Sequence, residues 1–269
     1  MKTIVHLSDL HFGTADSQIV EAVGAEVRAI KPDLLVVSGD LTQRARKAEF
    51  SQARAFLDSL RAPKIVVPGN HDVPLFNIFA RALTPLERYR RYIDVDTDPF
   101  YSDSEMAVVG INTARSFTVK DGRINANQLA AMTARFAGLA DEVTRVVVTH
   151  HPFEGRNLDH DNGVVGRAEM AMEAFSRCRV DIILSGHHHL HHANSSTVRY
   201  AKEQYGTLLI QAGTAVSTRR REAANSFNVI RIDRPEIRLE CRVWQPERER
   251  FGTSAEYFFR LGSDGWVPS

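Results

Sequence analysis

Short apolar runs that alternate with segments of helical periodicity constrain the fold of this chain more than any other feature of its sequence. The runs are rich in Val, Ile and Leu, which is typical of strands covered on both faces. Alternation of such runs with helices is the pattern of βαβ units and predicts an α/β fold. The predicted strands are Thr3–Leu7, Leu34–Ser38, Lys64–Val67, Met106–Ile111, Arg145–Thr149 and Asp181–Ser185.

Helices are predicted between these strands. Apolar residues recur at helical spacing from Ile19 to Ile30, with Asp16 or Ser17 as the N-cap and Pro32 beyond the end. The other predicted helical segments are Phe50–Leu60, Asn127–Leu139 and Ala168–Phe175.

The pattern changes after about residue 206, where apolar runs follow one another without helices between them. The runs Thr207–Gln211, Ser226–Ile232 and Glu236–Trp244 predict that residues 206–269 form a mostly antiparallel set of closing strands. No internal repeat, low-complexity tract or flexible linker marks a domain boundary. We therefore expect a single domain over residues 1–269.

Composition excludes several classes of protein. The 34 Lys and Arg residues nearly balance the 33 Asp and Glu residues, so the net charge of +1 gives no general reason to expect a nucleic-acid partner. Cys178 and Cys241 lie far apart and form no disulfide or zinc motif. No apolar stretch reaches the roughly 20 residues of a membrane span, and the N-terminal run is too short for a signal peptide. We expect a cytoplasmic protein.

Polar residues that can bind metals follow five of the predicted strands, at the point where each strand ends. The carboxyl ends of strands form the ligand crevice of open α/β sheets, so these segments should meet at one edge. A plainer interpretation exists for each segment alone, such as a turn or a helix N-cap, but five coincidences at strand ends are improbable. The segments are Ser8–His11, Gly39–Asp40, Gly69–Asp72, His150–Pro152 and Gly186–His189.

Spacing within two of these segments suggests which side chains converge. In an extended chain, residues two apart face the same way, which pairs Asp9 with His11 and His187 with His189, while the residues between them face away. Carboxylate, imidazole and amide oxygen without thiolate suit two adjacent divalent cations. Seven residues fill eight ligand positions if one carboxylate bridges both ions, and Asp40 is the natural bridge.

The five segments, in this order, resemble the motifs of the calcineurin-like metallophosphoesterases, with bacterial cyclic-nucleotide phosphodiesterases as the most similar branch. The resemblance extends from Thr3 to about Ile230. It implies a sandwich of two mixed β-sheets flanked by helices, an αββα arrangement, with a dinuclear metal site at the C-terminal ends of the strands.

The resemblance also implies a role for each ligand. One ion would be held by Asp9, His11, Asp40 and His189, and the other by Asp40, Asn70, His150 and His187. These donors accept Mn, Fe or Zn, so the identity of the two divalent ions stays open.

One residue of the same motifs lies beside the metals in the family without binding them, and here it is His71. Its neighbour Asp72 is the residue expected to orient its ring. At position 43 this chain has Gln where many members of the family have Asp. That Asp is not a metal ligand in the family, so the difference affects the expected positioning of the substrate and not the metal site.

The implied activity is hydrolysis of a phosphodiester bond in a small molecule, with 3′,5′-cyclic nucleotides as a candidate substrate. Two cations about 3.5–4 Å apart activate a bridging water and clamp the phosphoryl oxygens, while His71 protonates the leaving alkoxide or stabilises charge. The alternatives are a phosphodiesterase or pyrophosphatase for glycerophosphodiesters or nucleotide-lipids, and a DNA exonuclease. A non-catalytic scaffold is the least favoured, because the sequence retains all seven metal-ligand residues and His71.

Three further features bear on function. Asn112 and Arg115 follow the fourth strand, so they reach the same edge, where Arg115 would bind a phosphate. The segment 74–92 mixes apolar residues with arginines, and Pro85 should divide it into two helices. This segment would be a cap over the site, the contact of a homodimer, a lipid-facing patch, or a helix pair packed on its own core.

Overall fold

The structure is a computed structural model, and it describes residues 1–75, 77–116, 118, 120–155, 163–189, 191–200, 205–218 and 224–269. Residue 76 of the segment 74–92 and residues 219–223 of the closing segment therefore lie outside the described residues. The strands are β1 (Lys2–Leu7), β2 (Leu34–Ser38), β3 (Lys64–Val67), β4 (Phe100–Ser102), β5 (Met106–Gly110), β6 (Thr144–Val148), β7 (Ile182–Ser185), β8 (His192–Ser195), β9 (Leu208–Gln211), β10 (Ser226–Asp233), β11 (Glu236–Gln245), β12 (Arg250–Gly262) and β13 (Gly265–Pro268). The helices are α1 (Ser17–Ile30), α2 (Lys47–Ser59), α3 (Ile78–Leu83), α4 (Glu87–Tyr92), α5 (Ala126–Phe136) and α6 (Ala168–Arg177).

These strands form two mixed sheets. The first has the order β13-β12-β11-β10-β1-β2-β3, in which β1, β2 and β3 are parallel and β10 to β13 are antiparallel. The second has the order β4-β5-β6-β7-β9-β8, with parallel strands in the middle and an antiparallel strand at each edge. The mixed character of both sheets confirms the predicted fold class.

Three apolar layers hold the sandwich together. The layer between the sheets includes Ile4, Val36, Val146 and Leu184. A second layer joins the first sheet to α1, α2 and α4, and a third joins the second sheet to α5 and α6. Burial of these side chains on both faces of each sheet explains why the early strands are almost wholly apolar. Among the described residues, no helix is long and apolar enough to cross a bilayer.

The six predicted early strands appear with ends that differ by at most one residue. Asp16, rather than Ser17, caps α1, because its Oδ1 accepts hydrogen bonds from the backbone N–H groups of Gln18 and Ile19. Pro85 lies between α3 and α4, as predicted.

Four strands were not anticipated from the sequence: β4, β8, β12 and β13. In β12 most residues from Thr253 to Phe258 are exposed on both faces, so the strand lacks the alternation that would reveal it. Strand β9, expected in the antiparallel closing set, pairs parallel with β7 and antiparallel with β8.

Candidate metal centre

The five ligand-bearing segments meet at one edge of the sandwich. The segments after β1, β2 and β3 come from the first sheet, and those after β6 and β7 come from the second. The centre therefore lies where the C-terminal ends of both sheets converge, and it needs both sheets in place.

The first donor set surrounds Asp9. Its Oδ1 lies 3.6 Å from Nε2 of His11 and 3.5 Å from Nε2 of His189. His11 Nε2 is also 3.7 Å from Oδ2 of Asp40. All four side chains are buried.

The second donor set surrounds His150. Its Nε2 lies 3.5 Å from Oδ1 of Asp40, 3.1 Å from Oδ1 of Asn70 and 3.3 Å from Nδ1 of His187. Asp40 therefore turns one carboxylate oxygen toward each set. The two sets are the two groups of ligands that the family resemblance implies.

The donors fit a pair of divalent cations. Donor atoms that are each about 2.0–2.2 Å from one ion lie about 3–3.5 Å from each other, and the separations within the two sets are close to that range. Oδ1 of Asp9 is buried and accepts no hydrogen bond from any residue that the structure describes. Burying an anionic oxygen in this way is costly unless a cation compensates it.

The electrostatics of the ligands agree with that fit. Burial raises the pKa of Asp9, but the imidazoles of His189 and His11 outweigh it and hold the pKa well below its usual range. For Asp40 burial acts in the same direction, and His150 and His71 outweigh it, so its pKa is also lowered. Metal ligands must be deprotonated to bind, and both carboxylates meet that condition.

The backbone brings these ligands together in a way that differs from the extended chain expected from their spacing. Asp9, His11, Asp40, His187 and His189 all have positive φ angles, between 46° and 74°. The premise of an extended chain was therefore wrong, because both members of each pair have positive φ angles. The predicted convergence nevertheless holds for Asp9 and His11, whose Oδ1 and Nε2 atoms are 3.6 Å apart. His187 and His189 instead reach different donor sets rather than one point. Strained backbone of this kind is common at functional sites.

Hydrogen bonds to the ring nitrogen that points away from the donor set fix the orientation of the candidate imidazole ligands. Nδ1 of His150 is 2.8 Å from the carbonyl of Ser38, and Nδ1 of His11 is 3.4 Å from the carbonyl of Thr42. Because a carbonyl only accepts, Nδ1 carries the proton and Nε2 presents its lone pair to the donor set. Nδ1 of His189 contacts the hydroxyl of Thr214.

Asp72 has a different partner from the one expected. Its carboxylate does not bond the His71 ring; it accepts hydrogen bonds from Gly69 N (2.9 Å), Leu41 N (3.2 Å), Thr42 N (2.9 Å) and Thr42 Oγ1 (2.9 Å). Burial and the nearby charge of Asp40 raise the pKa of Asp72 to about 6. Asp72 thus connects the loop after β2 to the loop after β3, and each of these loops carries candidate metal ligands.

His71 lies against the centre and is oriented by a backbone carbonyl. Its Nδ1 donates to the carbonyl of Gln43 at 2.8 Å, and its backbone N–H donates to Oδ1 of Asp40 at 2.8 Å. Its ring packs edge-on against His11 at a centroid distance of 4.9 Å. Because a carbonyl only accepts, the proton of the neutral ring lies on Nδ1.

His151 is close to the second donor set, but its ring forms hydrogen bonds with other residues. Its Nε2 donates to the carbonyl of Lys120 at 2.9 Å, and its Nδ1 accepts from the hydroxyl of Thr113 at 2.7 Å. Burial and the neighbouring His150 lower the pKa of His151 to about 3. Both ring nitrogens of His151 are therefore engaged by the protein, although one of them lies within 4.8 Å of ring nitrogens of His150 and His187.

The contacts of Asn112 and Arg115 are with the protein itself. The guanidinium of Arg115 donates to the carbonyls of Asn112 (3.0 Å) and Ala114 (2.8 Å) and to Oε1 of Gln128 (2.8 Å). Oδ1 of Asn112 accepts from the backbone of Ala114. These bonds stabilise the turn after β5, and a substrate-binding role for either residue stays a prediction.

Several supporting residues escaped the sequence analysis. The hydroxyl of Ser8 donates to Oδ2 of Asp9 at 2.6 Å, and Thr42 and Thr214 bond to Asp72 and His189. Ser8 lies inside the recognised segment Ser8–His11, and Thr42 lies two residues after Gly39–Asp40, so both positions were close to a usable signal. Thr214 follows β9 with no motif around it, so only the tertiary structure identifies it.

Comparison with known proteins connects this geometry to a family. Residues 2–191 match a family model described as calcineurin-like phosphoesterase. The chain is 25% identical over 198 residues to a probable cyclic nucleotide phosphodiesterase of Synechococcus, covering 70% of this chain and 73% of that protein. It is 28% identical over 175 residues to a glycerophosphodiester phosphodiesterase of Enterobacter lignolyticus, covering 59% of this chain and 60% of the relative.

A solved structure supports the fold independently. A dimetal phosphatase from Danio rerio superimposes with a TM-score of 0.66 at 13% identity, covering 94% of this chain and 98% of that one. At this identity the similarity concerns the fold alone.

Proposed function

This chain belongs to the calcineurin-like phosphoesterase family and is a metallophosphoesterase, and we propose that it hydrolyses small-molecule phosphodiesters, with 3′,5′-cyclic nucleotides as the favoured substrates. The observation that carries the proposal is the pair of donor sets joined by Asp40, with His71 beside them. The similarity to a cyclic nucleotide phosphodiesterase supports the substrate class.

In this proposal the two donor sets each hold one divalent cation, Mn, Fe or Zn. When bound, the two cations supply an activated water and neutralise charge on the phosphoryl oxygens. Asp40 sets the spacing of the two positions, because its oxygens face different sets. The hydrogen bonds behind His150 and His11 keep the imidazoles aimed at those positions.

His71 is the proposed catalytic acid or charge stabiliser. Its Nδ1 proton is held by the Gln43 carbonyl, so the protonated ring would carry its second proton on Nε2, from which that proton would pass to the leaving alkoxide. Proton transfer to the leaving alkoxide by a positioned imidazole contributes typically ~10²–10⁴-fold to the rate. The backbone bond from His71 to Asp40 fixes the ring relative to the bridging carboxylate.

Glycerophosphodiesters are the second candidate substrates. The similarity to a glycerophosphodiester phosphodiesterase favours them, although this chain spans only 60% of that relative's length. Both substrate classes present a phosphodiester with one or two alkoxide leaving groups, so the same centre suits either of them.

A substrate panel tests the proposal. The Mn²⁺-loaded protein is assayed on 3′,5′-cyclic AMP and GMP, 2′,3′-cyclic nucleotides, glycerophosphocholine and an aryl phosphodiester, with an aryl phosphomonoester as the control. We expect kcat/KM for a 3′,5′-cyclic nucleotide to exceed that for the monoester and for glycerophosphocholine. Preference for glycerophosphocholine would select the second candidate, and preference for the monoester would overturn both.

A further inference from the structure

The two carboxylate oxygens of Asp9 have different surroundings. Oδ2 accepts a hydrogen bond from the hydroxyl of Ser8 at 2.6 Å and one from the backbone N–H of His187 at 3.0 Å. Oδ1 is buried, accepts no hydrogen bond from the described residues, and faces the Nε2 atoms of His11 and His189 at 3.6 Å and 3.5 Å. One oxygen is therefore satisfied by the protein, and the other lies among the candidate ligands of the first donor set.

The hydroxyl of Ser8 is directed at Asp9. Ser8 is fully buried, so water does not compete for its single proton. The other acceptor near the hydroxyl is the carbonyl of Ser38, at 3.3 Å, which also accepts from Nδ1 of His150 at 2.8 Å. A bond to an ionised carboxylate is shorter and stronger than a bond to a neutral carbonyl. The proton of Ser8 therefore lies between its Oγ and Oδ2 of Asp9.

The absence of a side chain at position 186 allows these contacts. A β-carbon on Gly186 would overlap the Ser8 hydroxyl and lie 2.6 Å from Oδ2 of Asp9. Glycine lets the backbone approach other groups this closely, and the next residue, His187, provides the second donor to Oδ2. The loop after β7 thus packs directly on Ser8 and Asp9.

We propose that Ser8 is a positioning residue that, together with the backbone N–H of His187, occupies Oδ2 of Asp9 and leaves Oδ1 as the only atom of this carboxylate that binds a cation. A cation bound by both oxygens would have to displace two hydrogen bonds from a buried oxygen, and leaving their donors unsatisfied is costly. The inference rests on the proposed function, because it takes the first donor set as a cation position.

This role concerns one of the two cation positions. Asp9 belongs to the first donor set, and Ser8 approaches the second set only through its 3.3 Å contact with the Ser38 carbonyl. Removing a group that hydrogen-bonds a metal ligand typically lowers metal affinity about 10–100-fold. Loss of the Ser8 hydroxyl should therefore weaken the binding of one cation much more than that of the other.

Calorimetric titration of the metal-free full chain with Mn²⁺, without substrate, tests the proposal. We expect Ser8→Ala to lower the affinity for one of two equivalents about 10–100-fold and to leave the affinity for the other nearly unchanged. Ser8→Cys fills almost the same volume, but its thiol is a weak donor, so it should lower the same affinity without creating a cavity. Binding of Co²⁺ gives a second readout, because its visible absorption depends on the number of ligand atoms and should change when Oδ2 is released.

Ser196→Ala is the matched control. Ser196 is as buried as Ser8, but its hydroxyl accepts the backbone N–H of Thr207 at 2.9 Å, at the start of β9. The other end of β9 leads to Thr214, which contacts His189, so Ser196 lies away from the donor sets. The Ser196→Ala variant should bind Mn²⁺ and Co²⁺ like the unmodified protein.

Three outcomes would overturn the proposal: unaltered Mn²⁺ affinity in both Ser8 variants, an equal loss of affinity at both equivalents, or a Co²⁺ spectrum that Ser8→Ala does not change. Each of them is distinguishable from failure of the proposed function, because the unmodified protein would still bind Mn²⁺ and cleave a phosphodiester. An unmodified protein that binds no Mn²⁺ would overturn both.

Discussion

Strand β7 connects two buried carboxylate sites of opposite character. At its start, Asp181 is fully buried and saturated with donors: Tyr205 Oη at 2.6 Å, Trp266 Nε1 at 2.7 Å, Arg234 at 3.1 Å and Arg145 N at 2.8 Å. Beyond its other end is the metal centre, where Oδ1 of the equally buried Asp9 accepts no hydrogen bond from the described residues.

The comparison separates stability from function. The donors to Asp181 come from both sheets, so this carboxylate fastens the sandwich together. At the metal centre Oδ1 of Asp9 instead has no donor among the described residues, and its buried charge is a cost to stability that the rest of the fold offsets. Substitutions at the two ends should therefore have separable effects on stability, metal binding and turnover.

The largest effect should come from Asp40→Ala. One carboxylate oxygen of Asp40 faces each donor set, so loss of the carboxylate should weaken metal binding at both positions. We expect kcat/KM to fall more than about 10⁴-fold, which is a large part of the ~8–23 kcal/mol by which enzymes lower activation barriers. Isothermal titration with Mn²⁺ and steady-state kinetics measure the two effects. Retention of one full equivalent of tightly bound metal would contradict the bridging role.

At the opposite end, Asp181→Ala should destabilise the fold by about 3–5 kcal/mol, because it leaves Arg234 and three further donors without their buried acceptor. Chemical denaturation measures the free energy of unfolding. Asp141→Ala is the control, since that carboxylate is 84% exposed and should change stability by less than about 0.5 kcal/mol. If Mn²⁺ affinity of the folded Asp181→Ala variant fell as well, the two ends would not be independent.

His71→Ala should lose turnover without losing metal. We expect kcat to fall ~10²–10⁴-fold, with the Mn²⁺ content unchanged. His71→Asn can still donate to the Gln43 carbonyl but has no titratable nitrogen, so it should be as slow as the Ala variant. Loss of metal in the Asn variant would show that His71 supports the ligands rather than the chemistry.

A smaller effect is expected for Asp72→Asn, which disturbs the connection between the loops after β2 and β3. An amide cannot accept all the hydrogen bonds that the carboxylate accepts, so Mn²⁺ affinity should fall about 10–100-fold. Asp33→Asn is the control, because Asp33 accepts a backbone N–H of Thr3 away from the metal centre. Equal loss of stability in both variants with unaltered Mn²⁺ affinity would reduce Asp72 to a structural residue.

Much of this molecule could be predicted from local patterns. The strands from β1 to β7 that lie in the sheet interiors are continuous apolar runs because both faces are covered, and their polar ends mark the edge where ligands gather. The edge strand β8 and the exposed strand β12 carry no such pattern, since their neighbours and the solvent decide which residues are tolerated.

Alone, the sequence determined the α/β class, the order of the polar segments at the strand ends and the kinds of donor atom they carry, because these depend on local periodicity and side-chain chemistry. The two-sheet αββα arrangement was implied by the resemblance to the metallophosphoesterase family. Only the tertiary structure decided that the candidate ligands Asp9, His11, Asp40, His187 and His189 adopt positive φ angles, that Asp72 bonds the loop at Thr42 instead of the His71 ring, and that the apolar residues of α3 are exposed. The physical reason is that left-handed turns and hydrogen bonds between distant loops set these directions, and neither depends on residue spacing along the chain.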